Sequence, residues 1–158
     1  MIGWRIVPGH REFSAFTGEG ARLYGGRWNS RGIAAVYTSQ HLSLAALELL
    51  VHRPTNHWAE DFIAFQAEWD DGQVEYLERA QMPANWRVEP PPLTLQQMGD
   101  AWFRAGRKPV LAVPSVVVPR EFNYVLNPQH SGFKKIRISP GELFQLDPRF
   151  AIPPPHRN

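Results

Sequence analysis

The stretch from Gly20 to Val51, GARLYGGRWNSRGIAAVYTSQHLSLAALELLV, constrains this chain more than any other segment. A glycine-rich loop carrying Arg22, Arg27 and Arg31 runs into a short apolar strand around Tyr37. A strongly apolar helix follows, with one carboxylate, Glu48, in its middle. An ionised carboxylate among Leu44, Ala45, Leu47, Leu49 and Leu50 is costly to bury without a partner. Arginines lie close enough in sequence to compensate it. Glycine loop, arginine, aromatic and glutamate together predict a pocket for an anionic, ring-bearing ligand.

Several function classes drop out on composition. The 158 residues suit one domain that buries roughly 70% of its unfolded surface. Seventeen basic residues against fifteen acidic leave a net charge of +2, too small an excess to mark a nucleic-acid surface. The absence of cysteine excludes disulfides, thiolate metal sites and thiol nucleophiles. No 18-residue apolar run exists, and MIGWRIVPG does not resemble a signal peptide, so a cytoplasmic location is expected.

Local patterning predicts few helices and several short strands. Trp4–Val7 reads as an opening strand stopped by Pro8-Gly9, and residues 8–32, with six glycines, read as a long structured loop. Ala34–Thr38 is a strand, and Ser39 is placed to cap a helix that runs to His52 before Pro54, buried nearly all round. Alternation over Asp61–Trp69 predicts a half-buried strand turned by Asp70-Asp71-Gly72. Thr94 and Gln97 form a capping-box pattern ahead of a helix that ends at Gly106. Val110–Val118, interrupted by Pro114, reads as one bent or two short strands. Asn123–Leu126, Lys135–Ile138 and Phe144–Leu146 complete the strands, and the tail has no reason to order itself. Without regular strand–helix alternation the fold class is α+β.

Residue chemistry leaves two readings open at each position. Gly25-Gly26-Arg27 lets a backbone and a guanidinium approach a phosphate, but it also suits a tight turn with an exposed arginine. It is neither a P-loop nor a dinucleotide fingerprint. Tyr37 fits stacking on a base or nicotinamide, and equally a core tyrosine with one hydrogen bond. Glu48 fits a functional carboxylate or a structural ion pair with Arg5 or Arg27. Ser115 lacks the Gly-x-Ser-x-Gly context of a nucleophile elbow and is left as a binding hydroxyl or a bulge residue. His41, His52 and His57 lack metal-ligand spacing. The basic cluster Lys134, Lys135 and Arg137 is explained by a solvated strand face.

Taken in order, Gly25-Gly26-Arg27-Trp28-Asn29, Val36-Tyr37-Thr38, Leu44-Ala45-Ala46-Leu47-Glu48, Val113-Pro114-Ser115 and Asn123-Tyr124-Val125-Leu126-Asn127-Pro128 resemble the RES domain family. The resemblance runs from about Trp4 to Leu146, and residues 1–150 are expected to form a single domain, leaving 151–158 as a proline-rich tail. It implies an ADP-ribosyltransferase-like fold of two small packed, split β-sheets with flanking helices around an NAD⁺ cleft. The family's arginine, glutamate and serine fall on Arg27, Glu48 and Ser115. With Tyr37 these are the implied catalytic residues, and with Asn127 the implied NAD⁺-binding set. NAD⁺ would be a substrate, with no separate cofactor and no metal. The implied function is the toxin of a bacterial type II toxin–antitoxin pair that cleaves the nicotinamide–ribose bond by hydrolysis or phosphorolysis. Its partner would be an Xre-type helix-turn-helix antitoxin that blocks the cleft. No direct nucleic-acid or membrane binding is implied, and a homodimer is left open.

Arg27 would then contact pyrophosphate or ribose, Tyr37 would pack on the nicotinamide side, and Ser115 would contact ribose or amide. Two alternatives use the same residues: ADP-ribosylation of a protein side chain, and a non-catalytic nucleotide-binding module.

Overall fold

In the computed structural model, residues 1–52 and 61–150 are described. The apolar alternation expected near the N-terminus forms β1, Ile2–Pro8, and that after Asp61 forms β3, Phe62–Glu68. These two pair antiparallel over seven register positions, from Ile2 opposite Glu68 to Pro8 opposite Phe62. A second group comprises β2 (Val36–Ser39), β4 (Val74–Tyr76), β5 (Val110–Pro114) and β6 (Phe122–Leu126). The short strands β7 (Arg137–Ile138) and β8 (Glu142–Phe144) both pair with β3. The strand order is β4-β5-β6-β2-β1-β3-β7. All pairs are antiparallel except β4 with β5.

The two groups meet at one register pair, Trp4 opposite Ser39. Full ladders lie on either side, so the sheet parts there into two halves. The fold is α+β as expected, with all eight strands among the described residues in one connected sheet that parts at this point instead of two separate packed sheets. Strand β5 is buried on both faces, which explains its unbroken apolar run VLAVP. Leu111 and Val113 join one core with Trp28, Trp86, Leu95 and Trp102. Val110 and Ala112 join another with Val36, Trp69 and Tyr124.

Three α-helices accompany these strands among the described residues: α1 (Glu19–Tyr24), α2 (Leu42–His52) and α3 (Leu93–Ala105). Helix α1 lies inside the expected loop. It has only six residues between Gly18 (φ +73°) and Gly25 (φ +76°), too few to show a periodicity. Helix α2 is less enclosed than expected. Leu44 and Ala45 are buried, but Leu47 and Val51 are exposed because the helix packs through one face only. Ser39 does not cap it; it ends β2, and its hydroxyl donates to Asn123 Oδ1 at 2.8 Å. The expected stop at Pro54 and the tail beyond residue 150 lie outside the described residues.

Helix α3 ends as expected at Gly106, in the left-handed region at φ +55°. The Thr94–Gln97 capping box does not form, because Pro92 is the N-cap and Thr94 is already inside the first turn. The stretch after Pro114 is a turn rather than strand: the Ser115 hydroxyl accepts from the Val117 and Val118 N–H groups at 3.1 Å each. Strand β4 was not legible in the sequence, since three residues cannot display a period.

Candidate active site at the parting of the two half-sheets

Each piece of the site is positioned by a contact that its residue type dictates. The Gly25–Asn29 loop is clamped from three sides. Asn29, fully buried, donates through Nδ2 to the carbonyls of Ala21 and Ile33 at 3.0 Å. Tyr37 Oη donates to Asn29 Oδ1 at 2.7 Å and accepts from the Trp28 N–H at 3.1 Å. Helix α3 closes the third side. Gln96 Nε2 donates to Gly26 O at 2.9 Å, and Asp100 accepts from the Ser30 amide and hydroxyl. A Cβ at Gly99 would come within 1.8 Å of Trp28 O, and one at Gly26 within 2.6 Å of Tyr37 Oη. These two glycines therefore serve packing of the loop itself.

Glu48 is presented by α2 with its side chain 20% exposed. Its Oε1 accepts from Asn123 Nδ2 at 2.6 Å and from Ser115 Oγ at 3.0 Å. Its Oε2 lies 3.7 Å from His52 Nε2, one turn along the helix, an ion pair too long to be a hydrogen bond. Burial alone would raise the pKa of this carboxylate. His52, Asn123 and Ser115 outweigh burial and hold it below the ordinary range. Glu48 in turn raises the pKa of His52, against the opposing effect of burial. Among the described residues no arginine pairs with Glu48, so the ion pair considered with Arg5 or Arg27 is replaced by an amide, a hydroxyl and an imidazole.

Two cavities adjoin this carboxylate. The first, of about 550 Å³, is lined by Trp4, Arg5, Arg11, α1, Tyr37–Ser39 and Glu48. The second, of about 480 Å³, is lined by Arg27, Arg87, Glu89, Pro91, Pro114, Val116 and Val117. Tyr37, Glu48, His52 and Asn123 border both. Glu48 thus stands at the wall between them, at the level where β1 and β2 part.

The two cavities differ in how their cations are satisfied. Arg5 extends from β1, and its Nη1 donates to Tyr37 O at 2.7 Å across the parted strands. Its Nε is buried with no hydrogen-bond partner. Among the described residues no carboxylate pairs with it or with Arg11. Burial, then the neighbouring Arg11 charge, lowers the Arg5 pKa to about 10, and the group stays charged at neutral pH. Arg27 is the opposite case: its guanidinium donates to Trp86 O, Val88 O and Glu89 Oε2, the last at 2.9 Å.

Of the residues singled out from the sequence, Arg27, Tyr37, Glu48 and Ser115 converge on this region, with geometry that revises three of their expected contacts. Ser115 is fully buried, its hydroxyl is committed to Glu48 and two backbone amides, and it borders neither cavity. The Tyr37 hydroxyl is committed to the loop. Burial pushes its pKa up, which keeps it the protonated donor that Asn29 requires, and only its ring faces the cavities. Arg27 borders the second cavity and not the first.

Asn127 is not brought to the site. It follows the far end of β6 from Asn123, its Oδ1 accepts from the Gln129 N–H at 3.0 Å, and it borders neither cavity. Asn123, four residues earlier, borders both cavities. Arg22 and Arg31 border neither cavity either; Arg22 is bound to Glu19 at 2.6 and 2.8 Å. Sequence reasoning missed Arg5, Arg11, His52 and Asn123 as site residues. Only His52, at i+4 from Glu48, carried a local signal.

The chain matches the RES domain over residues 2–147. It is 41% identical over 150 residues to Toxin Res of Yersinia enterocolitica, covering 94% of this chain and 99% of that one. It is 33% identical over 151 residues to the Prs ADP-ribosylating toxin of a Sphingobium species, covering 92% and 94%. Its fold is similar to that in the crystal structure of the M. tuberculosis MbcT–MbcA toxin–antitoxin complex, with a TM-score of 0.75 at 17% identity. That match covers 91% of this chain and 84% of the other. With the family match running through every strand and helix that builds the cleft, the chain belongs to the RES domain family.

Proposed function

We propose that this chain is the toxin of a toxin–antitoxin pair and that it consumes NAD⁺ by cleaving the nicotinamide–ribose bond. The observation that carries the reading is the Arg5–Arg11 pair. Two cations without a carboxylate partner face the same cavity as an ionised, hydrogen-bonded Glu48. A partly buried guanidinium without a counter-charge favours a bound anion, and a pyrophosphate supplies one with several acceptor oxygens. Pyrophosphate at Arg5 and Arg11 would bring the nicotinamide ribose toward Glu48.

The chemistry needs little more. As the C1′–N bond breaks, its electron pair leaves with nicotinamide, which departs neutral, and positive charge develops on the ribose. Glu48 Oε2, the oxygen not engaged by Ser115 and Asn123, is placed to stabilise that charge or to hold a ribose hydroxyl. Because the leaving group is neutral, no strong general acid is required. The names of the relatives support a toxin, and the complex of the structural neighbour supports an antitoxin partner. An Xre-type helix-turn-helix antitoxin that covers the cleft fits the need to silence such an activity in its own cell.

A second reading, ADP-ribosylation of a protein, is favoured by the similarity to the Sphingobium ADP-ribosylating toxin. It shares the donor half of the site. Incubating the purified protein with NAD⁺, with and without phosphate and with lysate, followed by mass spectrometry, separates the outcomes. Free ADP-ribose, a phosphorylated ADP-ribose or a modified protein would each identify the acceptor. NAD⁺ bound but unchanged in all three would reduce the chain to a nucleotide-binding module.

A further inference from the structure

Helix α1 turns one regular face to the first cavity. Gly20, Ala21, Tyr24 and Gly25 all border it, the set of positions that share one side of a short helix. A Cβ added at Gly20 would meet nothing within 4 Å, so the helix surface beside Tyr24 opens on empty space. Side chains on a helix lean toward its N-terminus, over the residue four positions earlier. For Tyr24 that residue is Gly20. Gly20 carries no side chain, and no atom of the Tyr24 ring comes within 4 Å of where its Cβ would stand, so the face between them is open.

Tyr24 is 74% exposed and belongs to none of the cores described among these residues. The contrast with Tyr124 is direct: that ring is 2% exposed and packs edge-on against Trp69 with centroids 5.1 Å apart. The one acid on α1, Glu19, also borders the cavity, but Arg22 holds both of its oxygens. An electron-rich base approaching the ring thus meets a compensated charge.

Arg5 and Arg11 suit phosphates, and Glu48 suits a ribose. The part of a dinucleotide left without a partner is its purine, and an exposed aromatic ring at the edge of the cavity takes a planar base. We propose that Tyr24 stacks on the adenine ring, making the first cavity a dinucleotide site instead of a mononucleotide site. The proposal rests on the NAD⁺ reading above and adds to it the element that selects the adenosine half.

The test compares Tyr24→Ala and Tyr24→Trp with the parent, using NAD⁺ and nicotinamide mononucleotide, which has the same scissile bond but no adenosine. Loss of one base–aromatic stack corresponds to about a 5- to 150-fold change in affinity. Tyr24→Ala should raise KM for NAD⁺ within that range, leave kcat nearly unchanged and leave the mononucleotide unaffected. Tyr24→Trp should restore the NAD⁺ value. Titration calorimetry with both ligands gives the same comparison without turnover, so a catalytically silent preparation still decides the matter.

Equal losses on both substrates, or an unchanged NAD⁺ affinity in Tyr24→Ala, overturn the adenine stack. So does a variant that weakens only the complex with a protein partner, which would make the ring a docking residue. Failure of the parent to bind either ligand would instead remove the NAD⁺ reading, and the stack with it.

Discussion

Arg5 and Arg27 sit on opposite sides of Glu48 and answer the same physical problem in different ways. Arg27 is enclosed, with 17% of its side chain exposed, and is fully engaged by two carbonyls and the Glu89 carboxylate. Arg5 gives one bond to a carbonyl, leaves a buried Nε unpartnered and faces the cavity beside a second cation. A charge that the protein has already neutralised holds structure together. One left uncompensated at a cavity is organised for a ligand, since preorganised donors bind an anion without first releasing another. The arginine most conspicuous in the sequence is thus the one the protein has already neutralised, and Arg5 is the one left uncompensated.

The wall shared by both sides gives the largest expected effect. Glu48→Gln keeps the size and the amide can still meet Ser115 and Asn123, but the charge is lost. Turnover should fall on the order of 100-fold or more, as read by NAD⁺ loss on a variant whose circular dichroism matches the parent. Near-parental turnover would exclude an electrostatic role. Because the Glu48 pKa is held down, ionisation should persist below the ordinary carboxylate range. The activity and stability it supports are present above that range and are lost only as pH falls through its depressed folded-state value.

The comparison itself is tested by paired lysine substitutions. Arg5→Lys keeps a charge but removes the planar donor set, and affinity for NAD⁺ should drop about 10-fold or more, the worth of a hydrogen bond to a charged group. Arg27→Lys should change NAD⁺ affinity less and lower the melting temperature more, because its partners are Trp86, Val88 and Glu89. The reverse ranking in calorimetric affinities would move the phosphate site to the second cavity.

Smaller effects follow at the supporting residues. Ser115→Ala leaves two partly buried amides without their acceptor and removes one bond to Glu48, and should cost about 1–3 kcal/mol of stability in a denaturant titration, together with part of the turnover. Asn127→Ala should leave KM for NAD⁺ unchanged; a raised KM would return Asn127 to the binding set. The smallest effect concerns His52. Its pKa is raised above 6.5 chiefly by Glu48, so the stabilisation is complete below pH 6.5 and disappears as pH rises through the folded-state value. His52→Gln should therefore lower the thermal midpoint at pH 6 and not at pH 9. A difference that is equal at both would show that imidazole charge is irrelevant there.

Much of the architecture was legible because period and punctuation are local. The alternation of 61–69, the Gly106 stop and the apolar 110–114 run each announced an element that exists. The six-residue α1 and three-residue β4 were not, since each is shorter than the pattern that would reveal it. Glu48 and Ser115 were singled out without tertiary knowledge, but their hydrogen bond to each other was not foreseen. Whether a hydroxyl meets a ligand or a carboxylate depends on a residue 67 positions away.

The amino-acid sequence by itself determined the α+β class, the glutamate helix, the glycine loop and membership in the RES family, because these rest on local propensity and on ordered blocks of residues. The tertiary structure alone decided which polar groups meet. The half-sheets part at Trp4 and Ser39, which lets Arg5 reach across to Tyr37 and face the cavity. Strand β6 turns Asn123 toward Glu48 and leaves Asn127 behind. Hydrogen bonds between distant segments depend on register and on the direction each side chain takes from its strand, and neither is written in the local order of residues.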